Sequence, residues 1–388
     1  TVATTGSGST VITAPVGNVT LDNSGTGTAT VTAVPAGSTV ATTGSGSTVI
    51  SAPVGNVTLD NSGTGTATVT AVPAGSTVAT TGTGSTVISA PVGDITLDNS
   101  GTGTATVTAV AANGVVATTG NGATAISAPL GNISLNNSGA GTVTVSGAPA
   151  GSTVTASGTG PVLVNSVLTS PAVLGVDASG NPSNVELANN GTGTINVTGL
   201  ADGATLASSG TGSGATNVVN PAGNLSLVNE GSSPFVVSGF DAGRTLSISG
   251  AGPTLVVSPD GNVVLANNGS GLATVAGAAA GSVMEITGSG PTSIANPVGD
   301  VSVDNTGTGI ATVDGAAAGS VVSTSGGGAV VIANPAGNLT VDHSGTGSTT
   351  VSGAAAGSTV HTTGSSSTGI DHPLGNLTVD NGGTGVAA

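Results

Sequence analysis

The sequence predicts an all-β protein, a β-solenoid (β-helix) of about twenty stacked coils. A unit of 38 residues recurs from one end of the 388-residue chain to the other. Within this unit apolar and polar residues alternate with a period of two, and glycines return at fixed distances. A period of two is that of a β-strand, and no stretch shows the period of 3.6 that an amphipathic helix requires.

Each 38-residue unit consists of a 20-residue segment followed by an 18-residue segment, for example residues 17–36 and 37–54. Both segments are centred on a glycine, Gly25 in the first and Gly44 in the second. An aliphatic residue stands four positions before this glycine and another stands six positions after it. We therefore expect alternating 20- and 18-residue coils, each built of two short strands that face each other across a glycine turn.

Side-chain alternation divides the long coil into an inner and an outer face. Leu21 and Val31 are expected in the core with Ala33 beside them, and the threonines of residues 28–32 are expected to point outward. Stacking such coils at ~4.8 Å would bury the apolar face that a single coil leaves exposed. In an alternative arrangement the 38-residue unit forms one four-strand coil or half of a small sandwich.

One inward position is polar. Asparagine stands two residues before the central glycine in nine of the ten long coils, and His343 replaces it in the tenth. A buried amide needs hydrogen-bond partners, so we expect it to hold the backbone of the turn, where glycine supplies a positive φ. Threonine or isoleucine occupies this position in short coils, which separates successive asparagines by ~9.6 Å and prevents a continuous asparagine ladder. The residues to which we assign these turn and core roles are Asn23, Gly25, Leu21, Val31, Asn61, Gly63, Asn99, Gly101, Asn137 and Gly139.

The repeat covers residues 1–388 as one continuous array, and we expect that it is truncated within a repeat at both ends. One segment, TSPAVLGVDASGNP at 169–182, interrupts the count and is interpreted as a loop inserted between coils. The short coil that begins at Gly203 carries two additional residues near Ser213. Insertions in solenoids form loops on one edge, where binding sites can lie.

Composition restricts the class of protein. The formal charge is −16, and Arg244 is the one basic residue apart from histidines, which argues against nucleic acids and anionic membranes as partners. Only 5% of the residues are charged and the mean hydropathy is +0.38, the reverse of a disordered chain. No apolar run approaches the ~20 residues that span a bilayer, so we expect no membrane insertion. Cysteine is absent, which excludes disulfides.

Candidate chemical sites are few. Outward aspartates share one position in the long coils, but the calcium-binding Gly-Gly-x-Gly-x-Asp nonapeptide is absent, so no cofactor is expected and calcium stays open as an alternative. His343, His361 and His372 occupy different strand positions, which does not favour a metal site. No acid pair, nucleophile with a base, or phosphate loop recurs, and we expect no enzymatic activity. The aspartates in question are Asp22, Asp60, Asp98, Asp304, Asp342 and Asp380.

The pattern Leu-x-Asn-x-Gly followed by alternating small and β-branched residues, as in residues 21–25 and 187–191, resembles the repeats of filamentous-haemagglutinin-type secreted bacterial adhesins. This resemblance extends over nearly the whole chain and implies an extracellular or cell-surface fibre that acts in adhesion or as a scaffold. We expect a structural rod in a surface fibre, sheath or adhesin stalk, which self-associates as a homopolymer. The alternative is a binding module for a glycan, calcium, ice or another surface ligand, which would use the outward Thr and Asp faces.

Overall fold

The computed structural model describes residues 1–112, 114–130, 133–147, 152–165, 184–198, 200, 202–221 and 223–388. Within these ranges the chain forms 39 β-strands and no helix. Consecutive strands alternate between two sheets, and every printed strand pair is parallel, so the predicted all-β solenoid is confirmed. The insertion predicted at 169–182 lies outside the described residues.

The chain divides into two compact units. Unit 1 comprises Thr1–Thr198 with Thr211–Ala215, and its ten coils contribute ten strands to each of its two sheets. Odd-numbered strands pair with odd ones and even-numbered strands with even ones. The strands of unit 1 are β1 (Val2–Thr4), β2 (Thr10–Thr13), β3 (Thr20–Asn23), β4 (Ala29–Thr32), β5 (Ser38–Thr42), β6 (Thr48–Ser51), β7 (Val57–Asn61), β8 (Ala67–Thr70), β9 (Ser76–Thr80), β10 (Thr86–Ser89), β11 (Ile95–Asp98), β12 (Ala105–Thr108), β13 (Gly114–Thr119), β14 (Thr124–Ser127), β15 (Ile133–Asn137), β16 (Val143–Ser146), β17 (Thr153–Ala156), β18 (Val162–Asn165), β19 (Asn184–Asn189) and β20 (Ile195–Thr198).

Unit 2 comprises Gly199–Gly210 with Thr216–Ala388 and has the same alternation of two parallel sheets. Its strands are β21 (Ala204–Ser208), β22 (Thr216–Val219), β23 (Leu225–Asn229), β24 (Phe235–Ser238), β25 (Arg244–Gly250), β26 (Thr254–Val257), β27 (Val263–Asn267), β28 (Ala273–Ala276), β29 (Ser282–Ile286), β30 (Thr292–Ala295), β31 (Val301–Asn305), β32 (Ala311–Asp314), β33 (Val321–Thr324), β34 (Val330–Ala333), β35 (Thr340–His343), β36 (Thr349–Ser352), β37 (Thr359–Thr362), β38 (Thr368–Asp371) and β39 (Thr378–Asn381).

The strand register shows that the two coils of a repeat have the same length. Leu21 of β3 lies beside Val40 of β5, and Val40 lies beside Leu59 of β7, so each step is 19 residues. The predicted 20 and 18 residues therefore describe where the turn sequences fall and not the length of a coil. A 19-residue coil of two strands also excludes the four-strand coil and the sandwich.

A few register steps differ from 19. Val154 pairs with Leu187, a step of 33, and the 14 additional residues equal the length of the predicted insertion. Leu206 pairs with Leu227, a step of 21 that corresponds to the two additional residues predicted in that coil. The step from β11 to β13, which pairs Ile95 with Val116, is also 21, although its sequence contains no insertion.

The core is one side chain thick on each sheet. The odd strands contribute residues such as Leu21, the even strands contribute residues such as Val31, and both are almost completely buried. Full burial of such a side chain stabilises the fold by ~1.5–3 kcal/mol. Stacked rows formed in this way are Leu21, Val40, Leu59, Val78 and Leu97 in one sheet and Val31, Ile50, Val69, Ile88 and Val107 in the other.

The end of each even strand corrects the prediction that Ala33 and Gly147 point into the core. Both residues adopt a left-handed backbone, with φ of 55° and 73°, and lie in the turn that follows the strand. Val34, one position later, is fully buried instead. A left-handed residue ends the strict alternation of faces, and a period-two count therefore assigns the wrong residue to the core at this point.

Candidate functional site

The recurring residues meet at the turn that leads from each odd strand to the next even strand, which we call the glycine turn. In the coil from β3 to β4 it consists of residues 24–28. The backbone N–H groups of Ser24 and Gly25 both donate to the carbonyl oxygen of Thr4 in the preceding coil, at 3.0 and 2.9 Å. Gly27 N–H donates to Gly6 O at 3.1 Å. The turns therefore stack on one another through their backbones.

The central glycines are required by this stacking. A Cβ atom placed on Gly25 would lie 2.2 Å from Gly6 O, and on Gly63, Gly101 or Gly139 it would lie 2.1 Å from the carbonyl oxygen of the glycine one coil earlier. None of these four glycines has a positive φ. The prediction that glycine supplies a positive φ here is wrong, because the close approach of two backbones selects glycine instead.

The inward asparagines join each long coil to the short coil that follows. The buried Nδ2 group of Asn23 donates to Gly27 O at 3.2 Å within its own turn. The same group donates to Ser47 O at 3.0 Å and to Thr48 Oγ1 at 3.2 Å in the next coil. Asn61 repeats these three contacts with Gly65, Ser85 and Thr86 at 3.2, 3.0 and 3.2 Å.

The other two assigned asparagines vary this arrangement. Asn99 Nδ2 donates to Ala123 O at 2.8 Å and to Thr124 Oγ1 at 3.4 Å in the next coil. Asn137 uses both ends of its amide, because its Nδ2 donates to Gly141 O at 3.4 Å and its Oδ1 accepts from Gly139 N–H at 3.3 Å. All four amides are buried and bonded to the backbone of a glycine turn or of the following even strand.

Short coils place threonine at the asparagine position, and this threonine joins the same network. Thr80 Oγ1 donates to Thr86 Oγ1 at 2.7 Å, and Thr86 Oγ1 also accepts from Asn61. Thr86 stands at the beginning of β10, where the corresponding residue of a long coil is alanine. Asparagine in one coil and threonine at the strand start of the next therefore form a matched pair.

A buried serine, which the sequence analysis missed, makes a second link between the same coils. Ser38 Oγ accepts from Val19 N–H at 2.9 Å, and Ser76 Oγ accepts from Val57 N–H at 3.1 Å. The contact recurs at 19-residue separation in later repeats, for example between Ser282 and Val263 at 3.1 Å. Serine after the glycine that opens each short coil was the available signal, but serine is so common in the chain that it carried little information.

His343 occupies an asparagine position and is almost fully buried. Its Nδ1 lies 2.5 Å from Thr324 Oγ1, and its Nε2 has no partner among the described residues. Desolvation by burial lowers the pKa of His343 below its ordinary value. His361 and His372 are instead exposed and contact Asp380 and Asp371, so the three histidines do not converge.

The outward aspartates bond to threonines of the neighbouring coil. Thr43 Oγ1 donates to Asp22 Oδ1 at 2.8 Å, and Thr81 Oγ1 donates to Asp60 Oδ1 at 3.1 Å. Two coils, or ~9.6 Å, separate one such aspartate from the next. Among the described residues no group of three His, Cys, Asp or Glu side chains lies close enough to hold a metal ion.

The outward threonines of the even sheet form an interrupted array. Thr30 lies beside Val49, which lies beside Thr68, and the same alternation continues to Val87 and Thr106. Threonine therefore occupies this position only in every second coil, a consequence of the 19-residue register that could not be read from the long coils alone.

One shallow groove of about 450 Å³ lies along the glycine turns of unit 1. Gly139, Gly158 and Gly191 form part of its floor, and Asn121 and Ser213 also line it. Its lining consists of glycine, alanine, serine, threonine and asparagine and contains no titratable side chain. The arrangement offers hydroxyl, amide and peptide groups to an uncharged polar ligand.

Two further observations concern the chain as a whole. In the described part of the chain no helix has the length and apolar character needed to cross a membrane. Comparisons of the chain with protein-family models, with curated proteins and with solved structures find no match.

Proposed function

We propose that the chain is a structural protein, a rigid extracellular β-solenoid segment of a cell-surface fibre, sheath or adhesin stalk. The observation that carries this proposal is the use of the recurring residues. Asn23 and Ser38 bond each coil to its neighbour, Gly25 permits the backbones to touch, and Leu21 fills the core between the sheets. A repeat whose invariant side chains all serve stacking suits a protein whose task is to be long and stiff.

The direction of the hydrogen bonds supports a mechanical role. Parallel strands of successive coils are joined by backbone hydrogen bonds that run along the stacking direction. A force applied in that direction would act on many such bonds at once in each coil. The side-chain links from Asn61 and Ser76 would add resistance where a long coil meets the following short coil.

An extracellular location is supported by composition and by resemblance. The chain has no cysteine that a change of redox conditions could affect, and its charge of −16 is spread over few charged residues. The Leu-x-Asn-x-Gly pattern resembles the repeats of secreted filamentous adhesins. Self-association into a homopolymer is part of the same proposal.

Electron microscopy of the purified chain and of immunolabelled source cells tests the proposal. We expect filaments whose diffraction shows a ~4.8 Å axial repeat, and we expect label on fibres outside the cell. A chain that stays monomeric at high concentration and inhibits ice growth or binds calcium would overturn the scaffold role. Label confined to the cell interior would overturn the location.

The groove along the glycine turns of unit 1 favours a second candidate, the binding of a neutral glycan. Its lining residues, which include Asn121 and Ser213, donate and accept hydrogen bonds without charge. The spacing of the coils is close to the length of one hexose in an extended chain. Calorimetry with neutral linear oligosaccharides tests this candidate: heat that is lost in Asn121→Ala supports it, and the absence of heat rejects it.

A further inference from the structure

We propose that one apolar corner of unit 1 pairs laterally with the same corner of a second copy of this chain. The corner lies where each even strand turns toward the next odd strand. Valine or leucine projects there in every second coil, with exposed fractions from 69% at Val92 to 104% at Val16. The residues that follow one another at 19-residue steps along this apolar corner are Val16, Pro35, Val54, Pro73, Val92, Ala111 and Leu130.

The fold does not require these residues to be apolar. Val34 and Pro53, the preceding residues of two successive turns, fill the buried side of the corner. In unit 2 the positions that correspond to Pro35 and Val54 are Asp241 and Asp260, both exposed. Asp260 N–H donates to Phe240 O at 3.0 Å, as Val54 N–H donates to Val34 O at 2.8 Å. The same turn therefore forms with a charged outer residue, and the apolar row of unit 1 needs another explanation.

The shape of the corner identifies the occupant. Exposed side chains such as Val54 and Val92 alternate with half-buried Pro35 and Pro73. They form projections ~9.6 Å apart with shallow positions between them. A partner surface meets all of these projections only if it has the same period, and the apolar corner of another copy has that period. Shifting the copy by one coil places each valine opposite a proline or alanine.

This fit selects an antiparallel pair. A two-fold axis parallel to the stacking direction would set each valine against its own copy, whereas a perpendicular two-fold axis allows the one-coil shift and closes the dimer. Charge does not oppose the contact locally, because Asp22, Asp60 and Asp98 lie at the other end of the odd strands and only Asp94 follows the corner. The net charge of −16 repels the two copies as wholes, so pairing should strengthen as salt screens that repulsion.

The size of the contact indicates weak pairing. Six steps of ~4.8 Å give a strip ~29 Å long, and a strip one or two side chains wide would bury on the order of 1,000 Å² in total. That area is at the lower limit for a specific interface. We therefore expect a dissociation constant on the order of 10–1,000 μM for an isolated pair, which would gain avidity when many copies lie side by side in a fibre.

Sedimentation of the full chain tests the proposal. The double variant Val54→Asp/Val92→Asp should raise the dissociation constant at least tenfold, and its circular dichroism should match that of the parent because both side chains are exposed. The matched control is Val298→Asp/Leu374→Asp, which adds the same charge at exposed apolar positions of unit 2 and should leave pairing unchanged. Equal loss in both variants, or a parent chain that stays monomeric at millimolar concentration, would overturn the proposal.

Cross-linking tests the antiparallel arrangement, because the chain has no cysteine of its own. Pro73→Cys lies in the middle of the strip and should form a disulfide dimer, whereas Val16→Cys at its end should not. Equal cross-linking at both positions would contradict the antiparallel pair. Binding to phosphatidylcholine vesicles that disappears in the Val54→Asp/Val92→Asp variant would assign the corner to a lipid surface and overturn the pairing.

The biological meaning of this pairing rests on the proposed scaffold function, but the two can fail separately. Filaments that persist in the Val54→Asp/Val92→Asp variant would reject the corner and leave the scaffold standing. Dimers that are sensitive to this variant in a chain that never forms filaments would support the corner and reject the fibre.

Discussion

Gly63 lies directly on the carbonyl group of Gly44 in the preceding coil, so that a Cβ atom on Gly63 would be 2.1 Å from the oxygen of Gly44. Gly63→Ala must therefore separate two stacked backbones, since neither can move a side chain away. We expect a loss of ~3 kcal/mol in the stability of the coils around β7. Amide hydrogen exchange is the suitable measurement, because coils that contact only their neighbours can open locally.

Gly327 provides the control for this substitution. It lies in a glycine turn of unit 2, but its Cβ atom would meet only Thr346 Oγ1 at 3.6 Å and Thr308 Cγ2 at 3.7 Å, which are ordinary contacts. Gly327→Ala should leave exchange rates in β33 and β35 unchanged or slightly slower. Equal effects at positions 63 and 327 would show that flexibility of the turn, and not contact between backbones, selects glycine.

Asn61→Asp should destabilise the link between β7 and β10. The Nδ2 group of Asn61 donates to Gly65 O, Ser85 O and Thr86 Oγ1, and a carboxylate oxygen in its place would face these acceptors without a proton. We expect a loss of ~3 kcal/mol or more at neutral pH. The loss should diminish on acidification, because a protonated carboxyl group can donate one of the three bonds.

The residue that short coils use at this position supplies the comparison for Asn61→Asp. Asn61→Thr keeps a hydroxyl group that can bond to Thr86, as Thr80 does at 2.7 Å, and should cost only ~1 kcal/mol. Urea unfolding monitored by circular dichroism would rank the two variants. A smaller loss for Asp than for Thr at neutral pH would mean that the amide does not hold the coil through its N–H groups.

The sequence was sufficient to predict the fold because its strongest signals are local. The period of two placed Leu21 and Val31 on the inner face, and the fixed distance to Gly25 located the turn. The inward position of Asn23 followed from the same count. Each of these inferences needed only residues within one coil.

Features that depend on two coils at once could not be predicted in this way. Gly55 is glycine because its Cβ atom would lie 2.3 Å from the Cβ atom of Ala36 in the preceding coil. This pairing of turn sequences explains a 38-residue repeat built from two coils of equal length. The contact of Ser38 with Val19 and the two-residue shift between β11 and β13 likewise become visible only when neighbouring coils are aligned in space.

Ala71→Gly should stabilise the chain. Ala71 follows β8 with a φ of 58°, a left-handed conformation that costs an alanine ~1 kcal/mol relative to glycine. The equivalent positions of unit 2 carry residues that tolerate it better, for example Gly315 and Asn334. Ala79, a half-buried residue within β9, is the control, and Ala79→Gly should destabilise by ~0.5–1 kcal/mol. Thermal unfolding would contradict the argument if both variants shifted the midpoint in the same direction.

His343 should make the coils around β35 sensitive to acid. Burial lowers its pKa in the folded chain below the value of 6.5 that it has when unfolded, so protonation favours the unfolded state. Stability should be unaffected above this pH and should fall as the pH decreases from about 6.5 toward the lowered folded pKa. Hydrogen exchange in β33 and β35 between pH 7.5 and 5, corrected for the intrinsic exchange rate, measures this loss. His343→Asn restores the residue of the other long coils and should remove the pH dependence, whereas His361→Asn, at an exposed site, should retain it. A loss of stability that persists in His343→Asn would assign the acid sensitivity to the aspartates of the outer face.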